Sequence, residues 1–422
     1  MGYFDSRLKP ARLAGAVAVA GLVIGFAAWL LKWLIGTMKH VALSPLDGKA
    51  DAGWWLLLLP IVGFMVVGWL VRNVIRYPLE NGVLQLKRHV DASDGKLPNR
   101  LSISSIVTCA ITLGCGGSAG AESPIAYAGA GISSNVARYF GMAQRDMLIF
   151  MACGGGAGIA AIFKSPVGGI FFTLEVLRMQ LGIVPVLVLA AMCIISGLTA
   201  YAIDGFTPDV SFYTAPTFEW SMMLPVVVTG LVTGLYSLYY RAGGSWTVGR
   251  LKLLRRPMVA NFVSGLTMGV FLLLFPALYG EGYGVLSSLA EGHTGAVTDG
   301  TLFGLIHGHL LLPIALACIL LAKPLVCYVT NEGGGVAGDF TPTFFAGGIA
   351  GALLSLLWPH AGITPDLFMI CGMAGAMAGI IRAPLMTIFL ATEMTGMPYT
   401  LLPVTLTVAI SYGLSRFLSP GQ

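Results

Sequence analysis

Six predominantly apolar runs of at least about twenty residues constrain this chain more than any other feature; they lie near 13–36, 53–75, 183–203, 221–240, 257–279 and 302–328. About 20 apolar residues are what an α-helix needs to cross the roughly 30 Å hydrocarbon core of a bilayer. Inside that core every backbone N–H and C=O must be satisfied by protein, which leaves helices or closed barrels, and unalternating runs of this length select helices. Charge agrees with this reading. Only 10% of the 422 residues are charged, against about 25% in soluble domains, so a soluble surface could not be covered. Glycine supplies 56 residues, about twice the usual share, as expected where membrane helices pack closely. A soluble enzyme, a disordered chain and a disulfide-stapled secreted domain are excluded. The net charge of +5 records basic loops and is no argument for a nucleic-acid partner.

Smaller signals fit the same class. Cys109, Cys115, Cys153, Cys193, Cys318, Cys327 and Cys371 lie in apolar stretches without CxxC or Cys/His spacing, so they read as packing residues and no metal or other cofactor is expected. Arg7, Lys9 and Arg12 precede an apolar run too long for a signal-peptide core. The stretch 241–256 carries Arg241, Arg250, Lys252, Arg255 and Arg256 without an acid, whereas 200–222 and 275–306 carry only acids. The positive-inside rule then puts 241–256 and the N-terminus in the cytoplasm of a multi-pass cell-membrane protein.

Two stretches, 102–178 and 341–418, behave differently. Their apolar segments of roughly 12–17 residues are separated by Gly and Pro clusters, which predicts interrupted helices lining a functional interior. A shift of 218 residues superposes the two. Gly116–Pro124 falls on Gly334–Pro342, Cys153-Gly154 on Cys371-Gly372, Lys164-Ser165-Pro166 on Arg382-Ala383-Pro384, and Glu175 on Glu393. Matched proline, acidic and basic positions at one offset indicate duplication. The expected fold is an all-α integral membrane protein of two inverted repeats, about 50–205 and 220–418, in a single domain spanning 1–422 with no cytoplasmic regulatory domain.

Glu122 is the one charged residue between 102 and 137. A carboxylate at membrane depth costs several kcal/mol unless paired, hydrated or protonated, so Glu122 reads as a proton carrier or part of a gate; the plainer alternative is a structural Glu held by backbone N–H groups. The glycine-rich turns before Pro124 and Pro342 each open a helix. Free N–H groups and a macrodipole of about half a positive charge make such helix starts suitable for anions. Two of them converging would hold an anion without a full positive charge, and Glu122 could take the anion's place until protonated.

These residues resemble the CLC chloride channels and proton-coupled chloride transporters. Gly120-Ala121-Glu122-Ser123-Pro124 is similar to the family's GxExP motif and Gly338-Asp339-Phe340-Thr341-Pro342 to its GxFxP motif; Phe163–Pro166 with Glu175 and Ile381–Pro384 with Glu393 also fit. The resemblance implies a homodimer in a lipid bilayer with a passage for chloride or another small anion in each subunit. It implies that Glu122 is the gating glutamate, responding to protons, and that the N–H groups of Asp339 and Phe340 line the central anion site. Gly82, Gly120 and Ala121 complete the expected anion-binding set with Asn81, which stands where the family has a serine. Asn81 either donates an amide to the ion and alters selectivity, or caps a short helix. Val176 occupies the position of the internal glutamate of proton-coupled members, Glu175 before it reads as a structural hydrogen-bonding residue, and no counterpart of the family's pore tyrosine follows the last helix; Tyr412 is a poor substitute.

Other motifs weigh less. Lys164 and Arg382 either raise the anion potential of an intracellular vestibule or cap helices, with structure favoured for Arg382, and Asp339 reads as an N-cap bonded to its own helix. Gly116–Gly120 matches the GxSxG nucleophile elbow, yet no strand or nearby His supports a hydrolase. Gly154–Gly158 reads as helix packing rather than a dinucleotide loop, and His307 with His309 lacks a third metal ligand. The functional expectation is proton-coupled anion exchange; a passive pH-gated anion channel is the alternative and an intramembrane hydrolase a remote one.

Overall fold

The computed structural model describes residues 10–44, 53–77, 79, 82–92, 95–212, 219–298 and 311–419. Asn81, His307 and His309 lie outside the described residues. Within them the chain is helical, and two residues that bridge as an isolated antiparallel pair, Gly120 and Gly338, are the only β-type contact.

The first half runs α1 (Pro10–Leu43), α2 (Gly53–Trp69, continued by a π-helical turn Leu70–Ile75), α3 (Gly82–Asp91), α4 (Asn99–Gly114), α5 (Glu122–Tyr139), α6 (Gln144–Ile162), α7 (Pro166–Phe171, with a π turn Phe172–Val176) and α8 (Ile183–Ile203). The second runs α9 (Met223–Leu251), α10 (Pro257–Leu274), α11 (Tyr283–Ala290), α12 (Gly295–Thr298), α13 (Leu311–Glu332), α14 (Phe340–Leu357), α15 (Pro365–Ile381), α16 (Pro384–Met394) and α17 (Leu401–Leu418). Prolines open α7, α10, α15 and α16 at positions whose N–H would have no intrahelical partner. Nine helices among the described residues are long and apolar enough to span a bilayer.

Sequence and structure differ in the two glycine-rich stretches. There α5 and α6 run 18 and 19 residues and α14 runs 18, longer than the segments expected between Gly and Pro clusters. The glycines of Gly154–Gly158, read as helix packing, do lie inside α6 and form its contact face. A Cβ on Gly154 would lie 2.4 Å from the Gly129 carbonyl oxygen, and one on Gly158 2.6 Å from that of Ile125. In α14 and α15 the mates Gly347 and Gly372 meet in the same way, at 2.2 Å. Buried helices pack backbone to backbone here, and a methyl at such a contact is overpacking worth about 1–3 kcal/mol.

The duplication is visible bond by bond. Thr330 Oγ1 accepts from the Ser118 N–H at 3.0 Å, and its mate Thr112 Oγ1 accepts from the Val336 N–H at 3.0 Å. The Glu393 carboxylate caps α7 through the N–H groups of Val167 and Gly168, while Glu175 caps α16 through those of Leu385 and Met386. Phe171 stacks on its own mate Phe389, with ring centroids 5.1 Å apart and planes 3° from parallel. Gly116 and Gly334 both take left-handed φ, +95° and +104°, in the turns after α4 and α13. Every pair is separated by the same 218 positions, so a pseudo-two-fold axis passes between Gly120 and Gly338.

Equivalent ends face opposite ways. Lys164, the left-handed residue after α6, pairs with Asp204 at 2.5 Å and Asp209 at 3.0 Å, on the face where Ser211 meets Ser287. Arg382, its mate after α15, donates to the Ser419 carbonyl oxygen at the end of α17, beside which Arg241 reaches Ser415. The repeats are therefore inverted: one mate lies on a face rich in acids, the other on a face rich in bases. Of the two readings of Lys164 the geometry favours the structural one: it sits on the acidic face opposite Arg382 and ties α1 to the 204–212 loop through Asp209, itself bonded to Lys32. The nearby Lys32 and Lys164 ammoniums hold the Asp209 carboxyl below its usual range, although burial alone would raise it.

Candidate functional site: a docked carboxylate between two helix starts

α5 and α14 both begin at the pseudo-two-fold axis, held there by the double hydrogen bond between Gly120 and Gly338, 3.0 Å one way and 2.7 Å the other. The two loops differ at one decisive position. Glu122 opens α5, and its mate opening α14 is Phe340. The Glu122 side chain, 0% exposed, crosses the axis. Its Oε1 accepts from the Phe340 N–H at 2.5 Å and, more weakly, from the Thr341 N–H at 3.4 Å; its Oε2 accepts from the Thr341 hydroxyl at 3.0 Å. A carboxylate thus fills the N-terminal pole of α14, where orphan N–H groups and the macrodipole favour negative charge.

Two glycines make room for it. A Cβ on Gly120 would lie 1.9 Å from Oε2, and one on Gly338 2.3 Å from Oε1. Neither glycine has positive φ, so the need is for space alone.

Each described residue of the expected anion set has a definite place. Phe340 supplies an N–H to the carboxylate as described. The N–H of Gly120 is committed to Gly338, so this residue gives space and not an amide. The Ala121 N–H donates to a different carboxylate, Glu281 Oε1, at 3.3 Å. Gly82 opens α3 against the Ser123 carbonyl, where a Cβ would stand 2.3 Å away, bringing α3 up to the start of α5. Asp339 departs from expectation: its side chain does not cap α14. It is bonded instead by Asn331 and lies near Cys327 on α13, lining a cavity of about 590 Å³ with Arg72, Arg88, Lys252 and Glu332 on the basic face. A second cavity on that face, about 420 Å³, reaches Phe340 and is lined by Glu175, Val176, Lys87, Arg178 and Arg382. Tyr412 is bonded to Arg416 on its own helix and takes no part in the site.

Several residues around the carboxylate carried no readable sequence signal. Lys323, 1% exposed in α13, donates to Ser118 Oγ at 2.8 Å and lies 4.5 Å from the Phe345 ring centroid. Ser118, the serine of the GxSxG match, is 0% exposed; this serine and lysine brace the loop before α5. Tyr279 Oη donates to the Gly114 carbonyl, and the Gly280 N–H to that of Gly117, docking the Tyr279–Tyr283 loop on the gate loop. Tyr283 Oη lies 2.9 Å from Thr341 Oγ1. Only contacts between distant segments reveal these roles.

The family model described as voltage gated chloride channel matches residues 63–416. This chain belongs to that family, the CLC proteins. Its relatives include a putative ClcB-like chloride channel protein of Ralstonia nicotianae, 26% identical over 95% of this chain and 92% of the relative. Another is the voltage-gated ClC-type chloride channel ClcB of Salmonella typhi, 27% identical over 98% and 96%. Among solved structures, a slow cyanobacterial chloride/proton antiporter shares the fold with a TM-score of 0.79 and 23% identity, covering 98% of this chain and 96% of that one. A CLC-type fluoride/proton antiporter does so with a TM-score of 0.76 and 19% identity, covering 98% and 97%. The CLC fold of two inverted repeats, and a multi-pass membrane protein, are thereby shown.

Proposed function

We propose that this CLC protein exchanges chloride or a similar small anion for protons, with Glu122 as both gate and proton carrier. The observation that carries the reading is the carboxylate on Phe340 and Thr341. An anion at this pole would accept from the same N–H and O–H groups, so anion and carboxylate exclude one another. Protonation removes the charge that makes these hydrogen bonds strong, and the neutral side chain leaves the pole to the anion. The anion-binding groups are the N–H groups of Phe340 and Thr341 and the Thr341 hydroxyl, approached from the basic face past Asp339, with Gly82 and Gly120-Ala121 nearby; a part for Asn81, outside the described residues, rests on the family resemblance alone. The basic face is cytoplasmic by the positive-inside rule, and the protein works as a homodimer with one passage per subunit. The antiporters that share its fold support exchange.

A passive, pH-gated anion channel is the second reading, and Val176 favours it: this side chain at the rim of the basic-face cavity cannot relay a proton. Protein reconstituted in liposomes with an anion gradient and no proton gradient separates the two. Uphill proton movement that stops in Glu122→Gln is expected for exchange. Anion flux without proton movement would refute exchange and leave the channel. Running the assay with chloride and with fluoride identifies the transported anion.

A further inference from the structure

The docked Glu122 carboxylate is sealed, yet the proposed function requires protons to reach it. Two linked hydroxyls lead from it toward the acidic face. Glu122 Oε2 accepts from Thr341 Oγ1 at 3.0 Å, and Thr341 Oγ1 lies 2.9 Å from Tyr283 Oη. Thr341 is buried, while Tyr283, the first residue of α11, is partly exposed on the acidic face. The polarity of the chain is fixed by chemistry. An ionised carboxylate can only accept, so the Thr341 proton points at Glu122. The Thr341 oxygen is then left to accept, so the Tyr283 proton points at Thr341. Both hydroxyls are aligned to move a proton inward.

We propose that Tyr283 and Thr341 form a proton relay that loads Glu122 from the acidic face while its carboxylate is still docked. In one concerted shift the O–H bond of Thr341 breaks as a new O–H forms on Glu122 Oε2. The Tyr283 proton moves to the Thr341 oxygen, and a hydronium ion or a protonated carboxyl on the acidic face gives its proton to the Tyr283 oxygen. Each hydroxyl loses one proton and gains one; the only net change is a neutral Glu122 and one proton fewer outside. The charged groups facing the two hydroxyls are Glu281 on the loop before α11, Asp209 and Lys32 beyond it, Lys39 over the Tyr279 ring, and Lys323 behind Ser118. Glu281, two residues before Tyr283 and bonded to the Ala121 N–H, stands at the outer end as a collector of protons.

This inference rests on Glu122 being a protonatable gate, and the test separates the two ideas. Tyr283→Phe removes one hydroxyl and leaves the Thr341–Glu122 bond intact; Thr341→Val removes the inner hydroxyl, and Thr341→Ser restores it. In proteoliposomes the relay predicts a tenfold or greater fall in proton flux, and in the rate of flux activation after an acid jump on the acidic face, for Tyr283→Phe. Thr341→Val should give a similar loss, the double variant no more, and Thr341→Ser recovery. In a Glu122→Gln background, where no proton has to be delivered, Tyr283→Phe should make no difference. Wild-type rates in Tyr283→Phe, alongside a strong Glu122→Gln effect, would overturn the relay alone. A Thr341→Val protein that leaks anions while Tyr283→Phe behaves as wild type would assign Thr341 to docking and overturn it too. Indifference to Glu122→Gln would bring down the gate, and the relay with it.

Discussion

A single methyl group placed at Gly120 tests the docked gate more sharply than removal of the glutamate. The Cβ of Gly120→Ala would stand 1.9 Å from Glu122 Oε2 and 2.6 Å from the carboxyl carbon. The group it meets is the free end of a flexible side chain, and Gly120 does not need positive φ, so the carboxylate is expected to move and the backbone to stay. Eviction forfeits the Phe340 N–H and Thr341 hydroxyl bonds, each about 1.5–3 kcal/mol for a charged partner. Part of this is regained when the freed carboxylate meets water, leaving a net loss of about 1.5–3 kcal/mol. At 1.4 kcal/mol per factor of ten, the docked fraction should fall about 10–100-fold relative to the open one. The assay is anion efflux from proteoliposomes at neutral and acid pH. Wild-type efflux should rise as pH falls and docking weakens; Gly120→Ala should run near the acid rate at neutral pH and respond little to acid. Adding Glu122→Gln to Gly120→Ala should change flux little, because both act on one contact. Wild-type flux and pH response in Gly120→Ala would refute the claim that this slot holds the gate shut.

Other expectations follow from the scaffold. Glu393→Ala leaves the Val167 and Gly168 N–H groups and the Ser165 hydroxyl without their acceptor and should cost about 2–4 kcal/mol, read as a lowered midpoint of thermal unfolding in detergent; an unchanged midpoint would refute the cap. Thr112→Val and Thr330→Val remove pseudo-symmetric braces and should each cost about 1–2 kcal/mol, equal within error by the same measurement. Asp209 has a carboxyl held below the ordinary 3.8 by Lys32 and Lys164. A depressed folded value means stability that is present above the unfolded value and lost as pH falls through the folded one. Wild type should therefore lose unfolding temperature below about pH 4 more steeply than Asp209→Asn, and parallel curves would refute the linkage.

The membrane class, the repeat and its offset, and the pairing of Glu122 with the start of α14 were legible because each rests on local pattern: long apolar runs, aligned motifs, an isolated carboxylate among glycines. What was not legible depends on contacts between distant segments. Gly154–Gly158 read as helix packing, and the structure agrees, but the neighbour it packs on was not legible: in α6 and α15 that neighbour is another backbone that only glycine admits. The two readings of Lys164 stayed open in the sequence because its partners, Asp204 and Asp209, come from the loop after α8. Asp339 carried the sequence marks of an N-cap, but α13 offered Asn331 as a bonding partner. Thr341, Tyr283, Glu281 and Lys323 gave no signal, since a lone hydroxyl or charge acquires meaning only from what the fold brings against it.

The inverted repeat explains why one acid is enough. Duplication by itself brings two equivalent helix starts to a shared axis, each with glycines before it and a proline in its first turn, and a ligand there would meet the same surroundings from either side. Function enters where the mates differ. Were both loops to carry glutamate, two carboxylates would converge on one slot and could not both ionise; were both to carry phenylalanine, two positive poles would face each other with nothing to close the path. With Glu122 on one loop and Phe340 on the other, one half supplies the charge and the other the N–H groups that receive it. The surrounding bonds remain symmetric, from the Thr112 and Thr330 braces to the Glu175 and Glu393 caps, and so hold both helix starts fixed while one side chain moves. In the proposed mechanism the pole exchanges a carboxylate for an anion without repacking the helices, which is what a gate confined to a single residue requires.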